Sequence, residues 1–434
     1  MNHKLLGNIV IKKIYSSLLF FFLFFFLLKK NLLIFYISPI KNIFGEIVNF
    51  GDWTLIINAA ICFQQGVDVY NSFGCDLTGR AHVYGTILLY IPFVNYLYQF
   101  YISFLPWLIV FFIIFLIHIF FSPKKFLNYL IMVGVIFSTP IVLAIERLNF
   151  EVVIFFFLIL ISYIKNSKFQ KLIIIFLSTI KFYPAVLSLF FLSKKINIKF
   201  LISNLLFITI IISCFYLDRD QILNVLNKRN IINPSTVDNV GMLIFSFYGL
   251  PELAKSTILH LSFFGTKQII LSKLAYNFFL LLAFFLLIFF IFISIKKFNM
   301  PENKFNINFD HRKFEDKLFI LSCIMILTIY FMSMNYIYKE IYFLGLIPFL
   351  IKKITIKKKM LFRIMYYIIL IKFIFLSLLW IVQIKFFSTS IYVKAINILI
   401  KNIIDLYLVS FLLYLFFFYI FKFITLNFSL VKNK

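Results

Sequence analysis

Charge is what this sequence has least of. Asp, Glu, Lys and Arg make up 14% of its 434 residues, against about a quarter in water-soluble domains. An ordinary soluble protein is thereby excluded. Acids are scarcer still, at 16 against 43 Lys and Arg. No Gly/Pro/Ser-rich linker and no fixed-period repeat interrupts the chain, which points to one integral bundle rather than several soluble domains. There is no P-loop, no GxGxxG after a strand, no HExxH and no GxSxG. The missing nucleotide-binding loop argues against an ATP-driven pump and against a sugar-nucleotide donor. The four cysteines (Cys62, Cys75, Cys214, Cys323) show neither CxxC nor metal-ligand spacing. Cys62 and Cys75 share one loop, and two readings stay open for them: a disulfide if that loop faces an oxidising compartment, or a pair of free thiols. The polar stretch 296–317 reads as a solvated cytoplasmic loop, with a metal site using His311 as the minor alternative, and neither a metal nor another cofactor is expected.

What is present is apolar. Hydrophobic residues reach 63%, with 64 Phe, and the mean hydropathy is +1.01. Apolar character recurs segment after segment, so lipid must be the solvent for most of the chain. The Phe, Ile, Lys, Asn and Tyr richness is what AT-rich coding yields. The net charge of +27 therefore says little about nucleic acid, and no nucleic-acid partner is expected. Lysines in cytoplasmic loops account for it. The same bias makes the six arginines (Arg80, Arg147, Arg219, Arg229, Arg312, Arg363) more informative.

Apolar runs lie at about 14–38, 85–100, 102–122, 126–145, 150–164, 170–193, 198–217, 241–264, 269–295, 317–337, 341–351, 361–384 and 398–424. At about 20 residues per crossing, they predict an all-α, polytopic transmembrane bundle of about 11–13 helices. Residues 1–38 give a cytoplasmic N-terminus and an uncleaved first membrane helix, since Lys29 and Lys30 stand where a cleavage site would be. Residues 39–84 form a first extracytoplasmic loop, helical over WTLIINAAICF. Helices follow over 85–216, a second outer loop over 217–242, and further helices over 243–434 with cytoplasmic loops at 296–317 and 352–363. Sidedness comes from charge. Basic clusters such as Lys12/Lys13, Lys194/Lys195 and Lys352 through Arg363 mark the cytoplasm, while Glu46, Asp52, Asp68 and Asp76 gather in the first outer loop. Alternation does not close around 85–125. If 85–100 and 102–122 both cross, Lys124 and Lys125 fall outside, so one run is re-entrant or interfacial, or the lysine pair breaks the rule.

The candidate chemistry starts with Asp52. It stands just past the first membrane helix, at the depth of a lipid phosphate, where a carboxylate can accept the proton of an attacking hydroxyl. A helix cap is its plain alternative. GVDVY supplies Asp68 and Tyr70, suited to a turn or to a sugar. Arg80, His82 and Tyr84 follow before an apolar run, and Arg grips phosphate in a bidentate fashion. Glu146, Arg147, Asn149 and Glu151 interrupt the apolar sequence, where a local Glu–Arg ion pair is the plain account. Lys181 lies mid-run just before Pro184, placed to neutralise a phosphate. Lys339 and Glu340 sit between aromatics, with mutual pairing as the plain account.

In order, these motifs resemble the GT-C membrane glycosyltransferases, most closely those of glycosyltransferase family 87. The likeness rests on Gly51-Asp52, G-x-D-x-Y (Gly66, Asp68, Tyr70), Tyr84-Gly85 to Pro92, R-x-N (Arg147, Asn149), K-x-Y-P (Lys181, Tyr183, Pro184), Asn233-Pro234-Ser235, and N-Y-x-Y-K from Asn335 to Lys339 before Pro348. Leu148 stands where such enzymes commonly have Gly, and Lys339 where they often have Arg. The resemblance implies a GT-C-like fold and a polyprenyl-phosphate sugar donor. It implies transfer of mannose or another hexose or pentose to a glycolipid or glycan acceptor on the extracytoplasmic side, with inversion. Asp52 would be the general base. Arg147, Lys181 and Arg80 would hold the donor phosphate. Asp68, Tyr70, His82, Tyr84, Asn149, Tyr183, Ser235, Tyr338 and Lys339 would line the substrate. The implied location is the inner (plasma) membrane. A flippase for lipid-linked saccharides or an O-antigen polymerase is the alternative.

Overall fold

The computed structural model describes residues 3–29, 50–71, 74–75, 82–121, 126–193, 198–220, 223, 245–260, 268–298, 309–310, 312–332, 337–357, 360–386 and 391–432. Regular structure in them is helical throughout, with no strand among the described residues. In chain order the α-helices are α1 (His3–Lys29), α2 (Gly51–Gln64), α3 (Leu105–Phe121), α4 (Phe126–Ile136), α5 (Thr139–Arg147), α6 (Phe150–Tyr163), α7 (Ser167–Ile180), α8 (Ile198–Leu217), α9 (Gly249–His260), α10 (Gln268–Phe298), α11 (Phe314–Met332), α12 (Ile347–Lys357), α13 (Met360–Phe386) and α14 (Ile391–Lys432). Three 3₁₀ segments, Thr86–Tyr90, Tyr183–Ser193 and Ile337–Leu346, and a π segment, Phe100–Phe104, complete the described helices.

Among the described residues, four helices are long and apolar enough to cross a membrane: Phe100–Phe121, Gln268–Lys296, Met360–Leu379 and Ile396–Ile420. A fifth arises if α4 and α5, bent by 48°, act as one span. Several apolar runs are broken into shorter pieces, because hydropathy reports side chains and not backbone. The run 85–100 is the clearest correction. It is no continuous helix but one 3₁₀ turn followed by turns. Pro92 has no N–H to donate and disfavours helix at Ile91, and Phe93 takes a left-handed φ of 54°. Of the two runs, the second, as Phe100–Phe121, is the helix long and apolar enough to cross.

The chain divides into two units: Met1–Val83 with Leu88–Val153 and Leu370–Thr389, and Tyr84–Ile87 with Ile154–Ile369 and Ser390–Lys434. In the first, α1 packs on α3 through aromatic edges, with Phe21 and Phe25 against Trp107 at 6.1 and 4.5 Å between ring centres. Phe50 meets the same indole at 5.1 Å, which seats the start of α2. The α4–α5 bend follows from Ser138, which is extended, and Pro140 in the first turn of α5. The buried backbone N–H of Thr139 donates to the Ser377 hydroxyl at 2.7 Å.

In the second unit, α7 ends at Ile180 and Lys181 is extended (φ −137°, ψ 138°). The chain then continues as the 3₁₀ helix Tyr183–Ser193. Pro184 explains the break, since it cannot continue the α ladder of the preceding turn. This 3₁₀ helix and the other long one, Ile337–Leu346, both pack on α11. Runs of this length are uncommon and often mark functional or strained places. Close approach is enforced by glycine. The Gly85 N–H donates to the Ile180 carbonyl at 2.9 Å, and a Cβ at Gly85 would overlap the Thr179 carbonyl oxygen. The obstacle is backbone, which cannot rotate away. Gly85→Ala is therefore expected to destabilise the protein by about 1–3 kcal/mol. Detergent-phase unfolding of the two forms would measure this, and equal stability would refute the close approach.

Candidate functional site

Asp52 lies in the first turn of α2, but it does not cap that helix. The residue before the helix is Phe50, left-handed at φ 61°, and it makes no side-chain cap. The Asp52 carboxylate instead points to α5 and the residues just after it. Arg147 Nη2 donates to Oδ1 at 2.7 Å, and Asn149 Nδ2 donates to Oδ2 at 2.7 Å. The plain cap reading is thus corrected, and Arg147 reaches 95 residues back to Asp52. The side chains of Arg147 and Asp52 are only 10% and 9% exposed. A pair this buried is costly to desolvate, and removing one partner leaves a stranded charge.

The backbone is shaped around this pair. The Phe50 N–H donates to the Glu146 carbonyl at 2.7 Å, joining the start of α2 to the end of α5. α5 then stops at Leu148, whose φ of 42° is the left-handed cap conformation usually taken by Gly. Left-handed backbone costs a non-glycine residue roughly 1–2 kcal/mol, and such strain clusters at functional positions. It recurs here on both sides of the carboxylate–guanidinium pair. Leu148 turns the chain so that Asn149 Oδ1 accepts the Glu151 N–H at 3.2 Å while its amide nitrogen holds Asp52.

Next to Asp52, Trp53 stacks on Phe150 with rings 6.4 Å apart and 10° from parallel. Its indole N–H donates to the Tyr101 carbonyl at 2.8 Å. That carbonyl lies in the π segment, where its i+5 partner would be Pro106, which carries no N–H. Trp53 supplies the missing donor and so ties α2 to the start of α3. Phe50, Trp53 and Phe150 were not legible as site residues, because aromatics are everywhere in this sequence.

The second unit gathers another group. The Lys181 ammonium lies over the Tyr84 ring at 4.9 Å and the Tyr183 ring at 5.9 Å. Lys339 approaches the Tyr183 ring at 5.1 Å. Two cations thus converge on one phenol, each favoured by the ring's negative face. Tyr338, half-buried, precedes Lys339 in the 3₁₀ helix. Glu340 sits with Lys401 at 3.5 Å, and Lys401 also binds Asp405 at 2.9 Å. The sequence signal for this ionic set was a Lys and an Asp four apart within the apolar run 398–424.

Asp68 spends its carboxylate on its own turn, accepting the Tyr70 N–H at 3.1 Å on Oδ1 and the Asn71 amide at 2.7 Å on Oδ2. Tyr70 and His82 are buried against each other, ring centres 5.3 Å apart. Cys62 and Cys75 are joined in a disulfide, while Cys214 and Cys323 are free. Thiol counting by mass-tagged maleimide under denaturing conditions should therefore find two reactive cysteines before reduction and four after; four before reduction would exclude the bond. Arg80 and Ser235 lie outside the described residues. Among the described residues, no three His, Cys, Asp or Glu side chains gather as metal ligands. No protein-family model matches the chain, no curated protein matches it, and no solved structure matches it.

Proposed function

We propose that this chain is an integral membrane glycosyltransferase of the GT-C type, similar to glycosyltransferase family 87. It moves a sugar from a polyprenyl-phosphate carrier to a glycolipid or glycan acceptor on the extracytoplasmic side. The supporting observation is the buried contact of Asp52 with Arg147 and Asn149, three residues drawn from two distant motifs onto one carboxylate. In this reading Asp52 takes the proton of the acceptor hydroxyl as its oxygen attacks the anomeric carbon. The bond from that carbon to the phosphate oxygen breaks, and polyprenyl phosphate leaves with one more negative charge. Arg147 steadies that charge. The paired lysines Lys181 and Lys339, with Tyr84 and Tyr183, offer a second basic and aromatic place suited to a phosphate-bearing headgroup. Lipid holds the donor at the interface, since each buried methylene is worth about 0.8 kcal/mol, and positioning then supplies much of the rate.

The reading places the protein in the inner (plasma) membrane, with its N-terminus in the cytoplasm and the disulfide-bearing loop outside. Its short and broken apolar helices would add to the long ones to make about 11–13 crossings. The test is a proteoliposome assay supplied with a polyprenyl-phosphate hexose and membrane glycolipid, scored by mass spectrometry for a new glycosidic bond. Absence of any product, with the donor intact and the protein folded, excludes the proposal.

A further inference from the structure

The resting contact of Asp52 is ill suited to the role just given to it. A base must offer a lone pair to the incoming proton. Here Oδ1 faces the Arg147 guanidinium and Oδ2 faces the Asn149 amide, each at 2.7 Å. The two partners are not alike, however. Asn149 is fixed from behind, because its Oδ1 accepts the Glu151 N–H at 3.2 Å at the start of α6. Arg147 is a long, flexible side chain at the last position of α5, and its guanidinium binds any oxyanion through the same fork of N–H groups.

We infer that Asp52 is held in reserve by Arg147 and that a phosphate ester anion releases it: the phosphate takes the guanidinium, Oδ1 becomes the proton acceptor, and Asn149 acts as the positioning residue that keeps Oδ2 in place. This inference rests on the proposed glycosyl transfer for its meaning, but not for its test. Charge balance favours the exchange. As the acceptor proton moves to Asp52 Oδ1 and the sugar–phosphate bond breaks, negative charge leaves the carboxylate and appears on the departing phosphate. Arg147 follows that charge. Without phosphate the base stays covered, so water or a stray hydroxyl finds no activated partner.

Carboxylate footprinting reads this directly. The full chain in nanodiscs is treated with a water-soluble carbodiimide and an amine, and modification of Asp52 is measured by mass spectrometry. A polyprenyl phosphate carrying no sugar is the probe, and inorganic phosphate is the second arm. In the unmodified protein, Asp52 modification should rise several-fold with the polyprenyl phosphate, while the neighbouring buried Glu146 and Glu151 stay unchanged. A rise with both probes assigns the exchange to the phosphate group alone; a rise with only the polyprenyl form assigns it to the lipid headgroup. Arg147→Met should give high Asp52 modification without any probe and no further response. If that variant does not fold, Arg147→Lys, which keeps the charge but loses the fork, should show a raised baseline and a weaker response. The inference is overturned if the protein retains the phosphate while Asp52 remains protected, or if it retains neither phosphate. Sugar transfer scored in parallel separates the two ideas. Release of Asp52 without a glycosidic bond sinks the enzyme and keeps the exchange; transfer with Asp52 still protected does the reverse.

Discussion

Asp52→Asn is expected to lower sugar transfer by about 10²–10⁴-fold, the usual contribution of a positioned general base. The amide keeps the size of the side chain but cannot accept the acceptor's proton. The variant has a second consequence that must be separated from the first. Arg147 is buried and faces the Asp52 carboxylate, and stranding one member of such a pair costs about 3–5 kcal/mol. Loss of activity in Asp52→Asn alone is thus ambiguous between a missing base and a loosened fold. The paired change Asp52→Asn with Arg147→Met removes both charges together and should recover most of that stability, because a neutral replacement of a buried ion pair is often tolerated. It should remain inactive. Detergent unfolding of the single and paired variants, beside transfer assays on purified protein with supplied donor, distinguishes the cases. Transfer near the unmodified rate in either variant would remove Asp52 from the mechanism.

The residues of this site were legible in the sequence, but their joining was not. Asp52 stood out because acids are rare and this one follows the first apolar helix. Arg147 and Asn149 stood out because polar residues rarely interrupt such a run. Nothing in local pattern says that Arg147 reaches a carboxylate 95 residues earlier. That contact depends on Phe50 and Leu148, both left-handed and neither Gly or Asn, so turn chemistry gave no warning. At Leu148 the backbone takes a glycine-like conformation with a leucine in it. The break at Lys181 was readable from Pro184, since that constraint is local. The run 85–100 misled for the opposite reason: its apolar side chains imitate a span, while Pro92 and the left-handed Phe93 dismantle the helix. At Asp68 the turn offered by GVDVY is present, the carboxylate closing the turn that carries it.

Lys401→Met is expected to be the most damaging single change in the second unit. The Lys401 ammonium lies between Asp405 at 2.9 Å and Glu340 at 3.5 Å, with all three side chains at most 1% exposed. The Phe245 ring, 6.0 Å away, adds its negative face on another side. Methionine fills similar space but leaves two carboxylates without this counter-charge, in a place where water cannot screen them. About 3–5 kcal/mol of stability should be lost, measured by unfolding in mixed detergent. Adding Glu340→Gln and Asp405→Asn removes the stranded charges and should restore much of it; if the triple variant is no more stable than Lys401→Met, the ionic set is not what holds these helices. The consequence reaches the basic group beside it. Glu340 directly follows Lys339 in the 3₁₀ helix Ile337–Leu346, so the ion pair that fixes Glu340 also fixes where Lys339 meets the Tyr183 ring. A buried charge set joining α14 to that 3₁₀ helix thereby helps fix the position of the lysine proposed to hold phosphate. In the triple variant, recovery of stability without recovery of donor affinity would show that the charges, and not only the packing, set that position.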